Sequence, residues 1–304
     1  MHFEVTILGS GAGLPTLQRH ASAQVVNVRE NYFLVDCGES TQLQLRKYNI
    51  RYQRIDHIFI SHMHGDHYLG LPGLLFSMHM LGRTRALNLY AHKPILEVIK
   101  VICDSSDTRL QFTINFTELS QDGQHLLFEN KAVAVYSFPM KHRIDCCGFL
   151  FKEKSRGRHI KKEVTEYYKV PNHQMLSIKE GNDFVAEDGT VIPNEKLTSP
   201  ADKPLTYACC SDTRYDESLL EYVQDADLIY HEATFANDKK DRARETMHST
   251  AEQAATLAKK AGAGQLIISH FSARYREEEL ILQEARNVFA NTIAAYDGLC
   301  VRLY

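Results

Sequence analysis

The segment 62–67 constrains this chain more than any other part of the sequence. It reads His-Met-His-Gly-Asp-His and carries three imidazoles and one carboxylate within six residues. The apolar run 58–60 directly before it predicts a buried strand, so we expect the motif to form a loop at the strand's end. Closely spaced imidazoles repel one another when protonated, whereas neutral rings and a carboxylate suit a cation such as zinc. A polar loop that holds histidines by chance is the less favoured alternative.

Four further apolar runs also end in a histidine or an aspartate. The runs 132–138, 205–210, 226–230 and 265–269 lead to His142, Asp212, His231 and His270. Metal and catalytic sites are often built where several strands end at one rim of a sheet. A single histidine in such a position is usually structural, but five strand ends of this kind, with that at His62, predict a shared site.

The order of strand and helix signals predicts the fold class. Strand signals dominate the first half, and strands alternate with helices in the second half. Helices are expected over 69–81, from Pro94, after the capping-box pattern Ser249-x-x-Glu252, and over the amphipathic stretch 276–290, in which Leu280, Ile281, Ala285 and Phe289 should face the core. We therefore expect an α/β protein in which two sheets are flanked by helices, a four-layer αββα sandwich.

Composition limits the class of function. The 304 residues are 44% hydrophobic and 24% charged, as in ordinary globular proteins, and the net charge of -3 gives no global basic field. No run approaches the 18 apolar residues of a membrane span, and the start does not read as a signal peptide. The seven cysteines show no C-x-x-C spacing, which favours reduced thiols. We expect a cytoplasmic protein without a membrane partner.

Residues 151–200 differ from the rest of the chain. The stretch 152–162 contains six Lys or Arg residues and one acid, Glu153. We expect a single domain over 1–304 in which 151–200 is an insertion outside the core. The insertion is either a solvated charged loop or an arm that binds a phosphate backbone. Its candidate substrate contacts are Lys152, Lys154, Arg156, Arg158, Lys161 and Lys162.

The potential ligands are numerous enough for two metal ions. His62 and His64 can face one ion while Asp66 and His67 face another. His142 and His270 would each supply one imidazole, and the two oxygens of Asp212 suit a bridge. A water between such ions loses a proton near neutral pH, and Asp66 or Asp212 could accept it. The excess of imidazole favours zinc over magnesium, with manganese or iron left open.

Three residues are predicted to support that centre. His248 precedes a capped helix, and a carboxylate such as Glu232 could hold it so that it protonates a leaving oxygen. A capping or packing role for His248 is the alternative. Asp36 is expected to hold the far nitrogen of a ligand histidine.

The ordered motifs resemble the metallo-β-lactamase superfamily: H-x-H-x-D-H at 62–67, followed by His142, Asp212 and His270. The motifs His231-Glu232-Ala233-Thr234 and His248-Ser249-Thr250 make the chain similar to the short form of ribonuclease Z, the tRNA 3′-processing endonucleases. The resemblance runs over 9–270. It implies the metallo-β-lactamase fold, two Zn²⁺ per subunit, a homodimer and precursor tRNA as substrate.

The resemblance also implies a role for each residue. One zinc would take His62, His64 and His142, the other Asp66, His67 and His270, with Asp212 as bridge. Asp66 would also accept a proton. A metal-bridging hydroxide would cut the 3′ trailer from the tRNA, leaving a 3′-hydroxyl on the tRNA and a 5′-phosphate on the trailer. Residues 151–200 fall where the family carries an arm that grips tRNA.

Three alternatives remain at this stage. Two keep the fold and change the substrate: a phosphodiesterase for small esters, or an arylsulfatase-like hydrolase. The third is a non-catalytic RNA-binding protein whose metals are structural. The basic insertion argues against the first two, and the scarcity of cysteine ligands argues against the third.

Overall fold

The chain forms two compact units. A computed structural model describes residues 3–304. The first unit comprises Met1–Lys152 and Leu205–Tyr304, and the second comprises Glu153–Pro204. Met1 and His2 lie outside the described residues.

The first large sheet is built mostly from the N-terminal half. Its strands run in the order β20-β1-β3-β4-β5-β6-β7. They are β1 (Phe3–Gly9), β3 (Ala23–Val28), β4 (Asn31–Val35), β5 (Ile55–Phe59), β6 (Leu87–Ala91), β7 (Ile114–Glu118) and β20 (Cys300–Leu303). The strands from β4 to β7 are parallel to one another, so their carboxyl ends lie at one edge of the sheet.

The second large sheet has the order β19-β17-β16-β15-β10-β9-β8. Its strands are β8 (His125–Glu129), β9 (Val133–Pro139), β10 (Cys147–Glu153), β15 (Thr206–Cys210), β16 (Leu228–Glu232), β17 (Gln265–Ser269) and β19 (Thr292–Ala294). Strands β15, β16, β17 and β19 are parallel. A short parallel pair, β2 (Gly11–Ala12) with β18 (Phe271–Ser272), lies outside the two large sheets.

Helices and apolar side chains complete four layers. The helices of the first unit are α1 (Thr41–Lys47), α2 (Gly65–Tyr68), α3 (Leu71–Met80), α4 (Pro94–Ser105), α8 (Leu220–Val223), α9 (Lys240–Thr246), α10 (Ala251–Lys260) and α11 (Glu279–Val288). Single 3-10 turns occupy Tyr52–Arg54, Glu217–Leu219 and Asn237–Lys239. Residues of α1, α3 and α4 form one buried cluster with the first sheet, whereas α10 and α11 share a cluster with the second. The predicted αββα sandwich is confirmed.

Aromatic rings fill the space between the two sheets. Phe33 of β4 packs on Phe151 of β10 with ring centroids 5.5 Å apart, and Phe59 of β5 packs on Phe149 with centroids 5.3 Å apart. All four rings are fully buried. Burial of each such side chain stabilises the fold by roughly 1.5–3 kcal/mol. These two contacts therefore help to hold the two sheets together.

Two predicted details at the C-terminal helices are wrong. The capping box of α10 is formed by Thr250 and Gln253, one residue after the predicted Ser249 and Glu252. Ser249 is not the cap because its buried hydroxyl donates to the carbonyl oxygen of Thr213. In α11, Leu280 was expected to face the core but is 53% exposed.

The second unit has a small core of its own. It contains α5 (Lys162–Tyr167), α6 (Met175–Lys179), α7 (Asn194–Leu197), a 3-10 turn at Asn172–Gln174, and two short antiparallel strand pairs. One pairs β11 (His159–Ile160) with β14 (Thr198–Ser199), and the other is a hairpin of β12 (Phe184–Val185) and β13 (Val191–Ile192). Val170, Ile178, Phe184, Ile192 and Leu197 form its buried cluster. The segment is therefore a folded unit and not an irregular charged loop.

Candidate metal centre

The 62–67 motif lies at the carboxyl end of β5. His64 is in extended conformation at the start of α2, and Asp66 and His67 lie on that single helical turn. The turn packs very closely on the loop after β4. A Cβ on Gly38 would lie 2.3 Å from the carbonyl oxygen of Asp66, and one on Gly70 would lie 1.9 Å from that of Gly38. Glycine at both positions allows the approach that fixes Asp66 and His67.

The second sheet supplies the remaining candidate ligands. His142 follows β9, Asp212 follows β15, and His270 follows β17. His270 has a positive φ of 59°, a conformation that turns its side chain out of the strand direction. The structure therefore brings residues from both sheets to one point.

The candidate ligands form overlapping clusters within which the ligand atoms lie no more than 4.8 Å apart. The clusters are His62, His64, His142 and Asp212; Asp66, His67 and His270; and Asp212, His248 and His270. Asp212 belongs to two of them. Its Oδ2 lies 3.6 Å from Nε2 of His62 and its Oδ1 lies 3.3 Å from Nε2 of His270.

Hydrogen bonds on the far side fix the protonation of two rings. Nδ1 of His142 lies 2.9 Å from the carbonyl oxygen of Met247, and Nδ1 of His67 lies 2.8 Å from Oδ2 of Asp36. Both oxygens can only accept, so both Nδ1 atoms carry the proton and donate. In the neutral rings Nε2 then presents a lone pair to the cluster.

The same holds for His62 and His270, through a hydroxyl group. The hydroxyl of Ser61 donates to Asp36 over 3.0 Å, which leaves its oxygen to accept from Nδ1 of His62 over 3.0 Å. The hydroxyl of Thr234 donates to Glu232 over 2.8 Å, and its oxygen accepts from Nδ1 of His270 over 2.9 Å. Nε2 of His62 and of His270 therefore also presents a lone pair to the cluster.

These lone pairs converge at distances that favour a cation. Nδ1 of His64 lies 3.0 Å from Nε2 of His62 and 3.1 Å from Nε2 of His142. A proton on this nitrogen could be shared with one of those rings but not with both. Burial is the main cause that lowers the pKa of all three histidines, so the rings are neutral and repel through their lone pairs. The donor set fits a divalent metal.

The charges around His67 lead to the same conclusion. Burial disfavours a charge on this ring, but Asp212, Asp66 and Asp36 outweigh it and raise the pKa of His67 well above its usual value. Burial alone would raise the pKa of Asp212, whereas His270 and His67 hold it well below the usual range. Buried Oδ1 of Asp212 accepts no hydrogen bond from any residue that the structure describes. The carboxylates at this centre therefore favour the binding of a positive charge.

Glu232 and His248 form a buried ion pair beside the cluster. Nδ1 of His248 donates to Oε1 of Glu232 over 2.9 Å, and the Glu232 side chain is fully buried. Burial opposes a charge on the imidazole, but Glu232 and Asp212 outweigh it and raise the pKa of His248 to about 9. The ring is thus protonated at neutral pH. Its side chain is 14% exposed, and it lines the cleft above the cluster.

Not every residue singled out by sequence joins the site. His231 ends β16 as expected, but side chains alternate along a strand, so it points to the opposite face from Glu232. Its Nδ1 contacts the backbone oxygen of Glu232, and its buried Nε2 has no partner among the described residues. The expectation that five strand ends share one site is therefore wrong for His231.

The sequence analysis gave some supporting residues no role. The hydroxyl groups of Ser61 and Thr234 hold ligand side chains in place through the hydrogen bonds described above. The backbone N–H of Thr213 donates to Oε1 of Glu232, and the backbone N–H of Gly13 donates to Oδ2 of Asp66 over 2.8 Å. Serine, threonine and glycine are too common to be informative at this stage. The usable signal was their position in the sequence: Ser61 directly precedes His62, and Thr234 follows Glu232 by two residues.

The six candidate substrate contacts of the insertion are spread over different surroundings. Lys152 belongs to β10, with Nζ 5.5 Å from the ring centre of Tyr136. Three others are engaged inside the second unit: Arg156 with Glu153, Arg158 with Thr198, and Lys162 with Glu166. Nζ of Lys161 donates to the carbonyl oxygen of Glu195. Lys154 also has a partner.

Comparison with known proteins identifies the family. The chain is 45% identical over 301 residues to a ribonuclease Z of Bacteroides fragilis strain YCH46, covering 99% of each chain. It is 42% identical to a ribonuclease Z of Porphyromonas gingivalis strain W83, again with 99% of each covered. The chain belongs to the ribonuclease Z family. The resemblance inferred from the motifs is confirmed, and the family spans the insertion as well as the metal cluster.

Solved structures agree with this assignment. Human tRNase Z, short form, is 28% identical, covers 98% of both chains and superposes with a TM-score of 0.71. The metallo-β-lactamase fold protein YhfI of Bacillus subtilis covers 100% of both chains with a TM-score of 0.71, but at 19% identity it supports the fold alone. A family model described as anti-Pycsar protein Apyc1 also matches residues 3–156. That range ends before Asp212, Glu232, His248 and His270.

Proposed function

We propose that this protein is a metal-dependent endoribonuclease that removes the 3′ trailer from precursor tRNA. Cleavage leaves a 3′-hydroxyl on the tRNA and a 5′-phosphate on the trailer. The observation that carries the proposal is the position of Asp212 between two histidine clusters, in a chain that matches ribonuclease Z over its whole length. A small-ester phosphodiesterase of the same fold is the second candidate, because the candidate metal cluster is built without any residue of the insertion.

The proposed cofactor is a pair of zinc ions per subunit. His62, His64 and His142 would hold one ion, Asp66, His67 and His270 the other, and Asp212 both. When bound, such ions supply positive charge that stabilises the developing charge on a phosphate and acidifies water. The set of five imidazoles and two carboxylates supports a nitrogen-rich site, which zinc prefers over magnesium.

The protein's own side chains carry the proton transfers in this proposal. Asp66 is ionised, since His67 and His270 outweigh burial and lower its pKa, and its carboxylate accepts the proton of the attacking water. His248 is protonated and anchored through Nδ1, so Nε2–H is the group left to donate to the departing 3′ oxygen. Glu232 keeps His248 charged and oriented. Asp36 fixes the tautomer of His67.

The insertion is proposed as an arm that binds tRNA away from the cut. Its support is the basic stretch 152–162 and the independent core of Glu153–Pro204. Between 163 and 204, however, acids are at least as frequent as basic residues, so any phosphate contact would be confined to the first part of the unit. We further propose a homodimer that acts in the cytoplasm, as the family resemblance implies. No helix within residues 3–304 is long and apolar enough to cross a membrane.

Cleavage of a 3′-extended precursor tRNA tests the function. Zinc-loaded protein should make one cut after the discriminator nucleotide, and chemical analysis of the ends should find the 3′-hydroxyl and 5′-phosphate. Asp66→Ala should bind the same RNA without cutting it. Intact precursor together with rapid hydrolysis of a small phosphodiester would reject the proposal in favour of the second candidate.

A further inference from the structure

The cleft above the metal cluster carries positive charges that the mechanism does not use. This cleft, of about 360 Å³, is lined by Arg143, Arg242 and Arg274 in addition to the cluster residues. Among residues 3–304, the acids that line it are Asp66 and Asp212, which belong to the cluster. The chain as a whole has a net charge of -3. The arginines are therefore a local feature of the cleft and not part of a general basic surface.

Two of these arginines have guanidinium groups available for a ligand. Arg143 is exposed and makes no hydrogen bond or ion pair with any of residues 3–304. Arg242 is 52% exposed and uses Nη1 for an ion pair of 3.0 Å with Glu245, on the same face of α9. An exposed pair of this kind contributes little and is readily exchanged for a stronger partner. Arg274 differs because it contacts the hydroxyl of Ser272.

Arg143 and Arg242 belong to the same side of the cleft. Arg143 directly follows His142, whose Nδ1 donates to the carbonyl oxygen of Met247. Met247 has a positive φ of 59° and joins the end of α9, which carries Arg242, to His248. The two guanidinium groups are thus tied to the side of the cleft that holds the proton donor. In the proposed reaction this is the side of the departing 3′ oxygen.

A polynucleotide places a further phosphate on that side. The departing 3′ oxygen belongs to the last nucleotide of the tRNA, and the 5′ phosphate of that nucleotide is the next charge along the chain. A guanidinium group binds phosphate oxygens through paired N–H donors. We propose that Arg143 and Arg242 bind the phosphate one nucleotide upstream of the cut, so that the cleft selects a polynucleotide over a small phosphodiester. This inference rests on the proposed endoribonuclease function.

Variants on one helix provide a matched test. Arg143→Gln, Arg242→Gln and the double variant are compared with Arg244→Gln, which removes the same charge from an exposed position of α9 outside the cleft. We measure kcat/KM for a precursor tRNA at several salt concentrations and for bis(p-nitrophenyl) phosphate. Loss of one phosphate contact should reduce the slope of log kcat/KM against log salt by about 0.7 for a single strand. The double variant should lose about tenfold on precursor tRNA through KM.

Small-ester hydrolysis and the Arg244→Gln variant should both stay at the parent level. A substrate with a neutral methylphosphonate at the upstream position should lower kcat/KM for the parent but not further for the double variant. An unchanged salt slope, an equal loss on both substrates, or additive effects of methylphosphonate and variant would each overturn the assignment. These outcomes all presuppose a parent that cuts precursor tRNA. A parent that leaves it intact contradicts the proposed function itself.

Discussion

At the scale of single residues, Glu232 organises the hydrogen bonds around His248 in the candidate site. Its Oε1 accepts from the backbone N–H groups of Thr213 and Ser249 and from His248, while Oε2 accepts from the backbone and hydroxyl of Thr234. A carboxylate without water around it is stable only with such a set of donors. One buried side chain therefore keeps His248 charged and fixes the hydroxyl that orients His270.

We predict that Glu232→Gln impairs catalysis through His248. The amide keeps the size of the side chain but removes the charge, so the pKa of His248 should fall. Because the protonated ring is the proposed proton donor, activity on precursor tRNA should decline at a lower pH than in the parent, whose limit lies near the His248 pKa of about 9. At pH 8 we expect a drop in kcat of about 10²-fold, measured in a pH series.

The exposed substitution Glu221→Gln serves as control and should leave kcat and its pH profile unchanged. Zinc content is determined for each variant, since Glu232 contacts the ligand His270 only through Thr234. Parallel loss of zinc and activity would show that Glu232 acts by holding the proposed metal ligands in place and not by keeping His248 protonated.

At the scale of elements, strand β5 joins the metal motif to the core. His57 lies in the middle of this strand, and its ring packs on Phe128 with centroids 4.1 Å apart. Nδ1 of His57 lies 3.2 Å from the hydroxyl of Tyr90. Burial lowers the pKa of His57 to about 4. The strand that positions the ligands thus contains a neutral histidine that resists protonation.

We predict that the stability of the protein depends on pH and that the substitution His57→Phe weakens this dependence. Above pH 6.5 the ring is neutral in the folded and unfolded chain, so the proton has no effect. Between about 6.5 and 4 only the unfolded chain binds it, and the free energy of unfolding falls as the pH is lowered. At pH 5 this effect lowers the free energy of unfolding by about 1 kcal/mol, after allowance for the partial exposure of the ring. Urea unfolding at pH 8 and pH 5 measures it.

In that experiment the parent should lose about 1 kcal/mol more stability than His57→Phe when the pH is lowered from 8 to 5. His173→Phe, which changes an exposed histidine of the second unit, should behave like the parent. Equal losses in all three proteins would show that His57 is protonated as easily in the folded state as in the unfolded one.

Strand and helix positions were predictable to different degrees. Strand β17 (Gln265–Ser269) has the predicted bounds, because a continuous apolar run between polar breaks marks a buried parallel strand. The cap of α10 was misplaced by one residue because Ser249 and Thr250 both suit that position. Only the tertiary contact of Ser249 with Thr213 distinguishes them.

At the scale of the whole molecule, the two-sheet sandwich explains why motifs that are scattered along the sequence form one candidate site. Each sheet brings carboxyl strand ends to the edge where the sheets meet, so residues 150 positions or more apart become neighbours, such as Ser61 and Ser211. The sequence predicted the candidate ligands, which the fold brings together, because histidine and aspartate are conspicuous at strand ends. It did not reveal the core of the second unit, whose apolar residues are few and widely spaced.

Because the second unit has its own core, it is best removed as a whole. Lys152 and Thr206 are paired neighbours in β10 and β15, so a linker of about four Gly and Ser residues can replace 154–203 as a hairpin loop. A deletion of 152–180 would instead remove Val170 and Ile178 from the buried cluster. It would expose the remaining apolar residues of that cluster and should cause aggregation.

We predict that the hairpin variant keeps its zinc and hydrolyses bis(p-nitrophenyl) phosphate at the parent rate, because every metal-cluster residue lies in the first unit. On precursor tRNA its kcat/KM should fall about 10²-fold, mainly through KM, since a second attachment point raises the effective concentration of a long substrate. Steady-state kinetics on both substrates separate the outcomes. Equal losses would assign the second unit to folding of the first, and undiminished tRNA cleavage would exclude it from substrate binding.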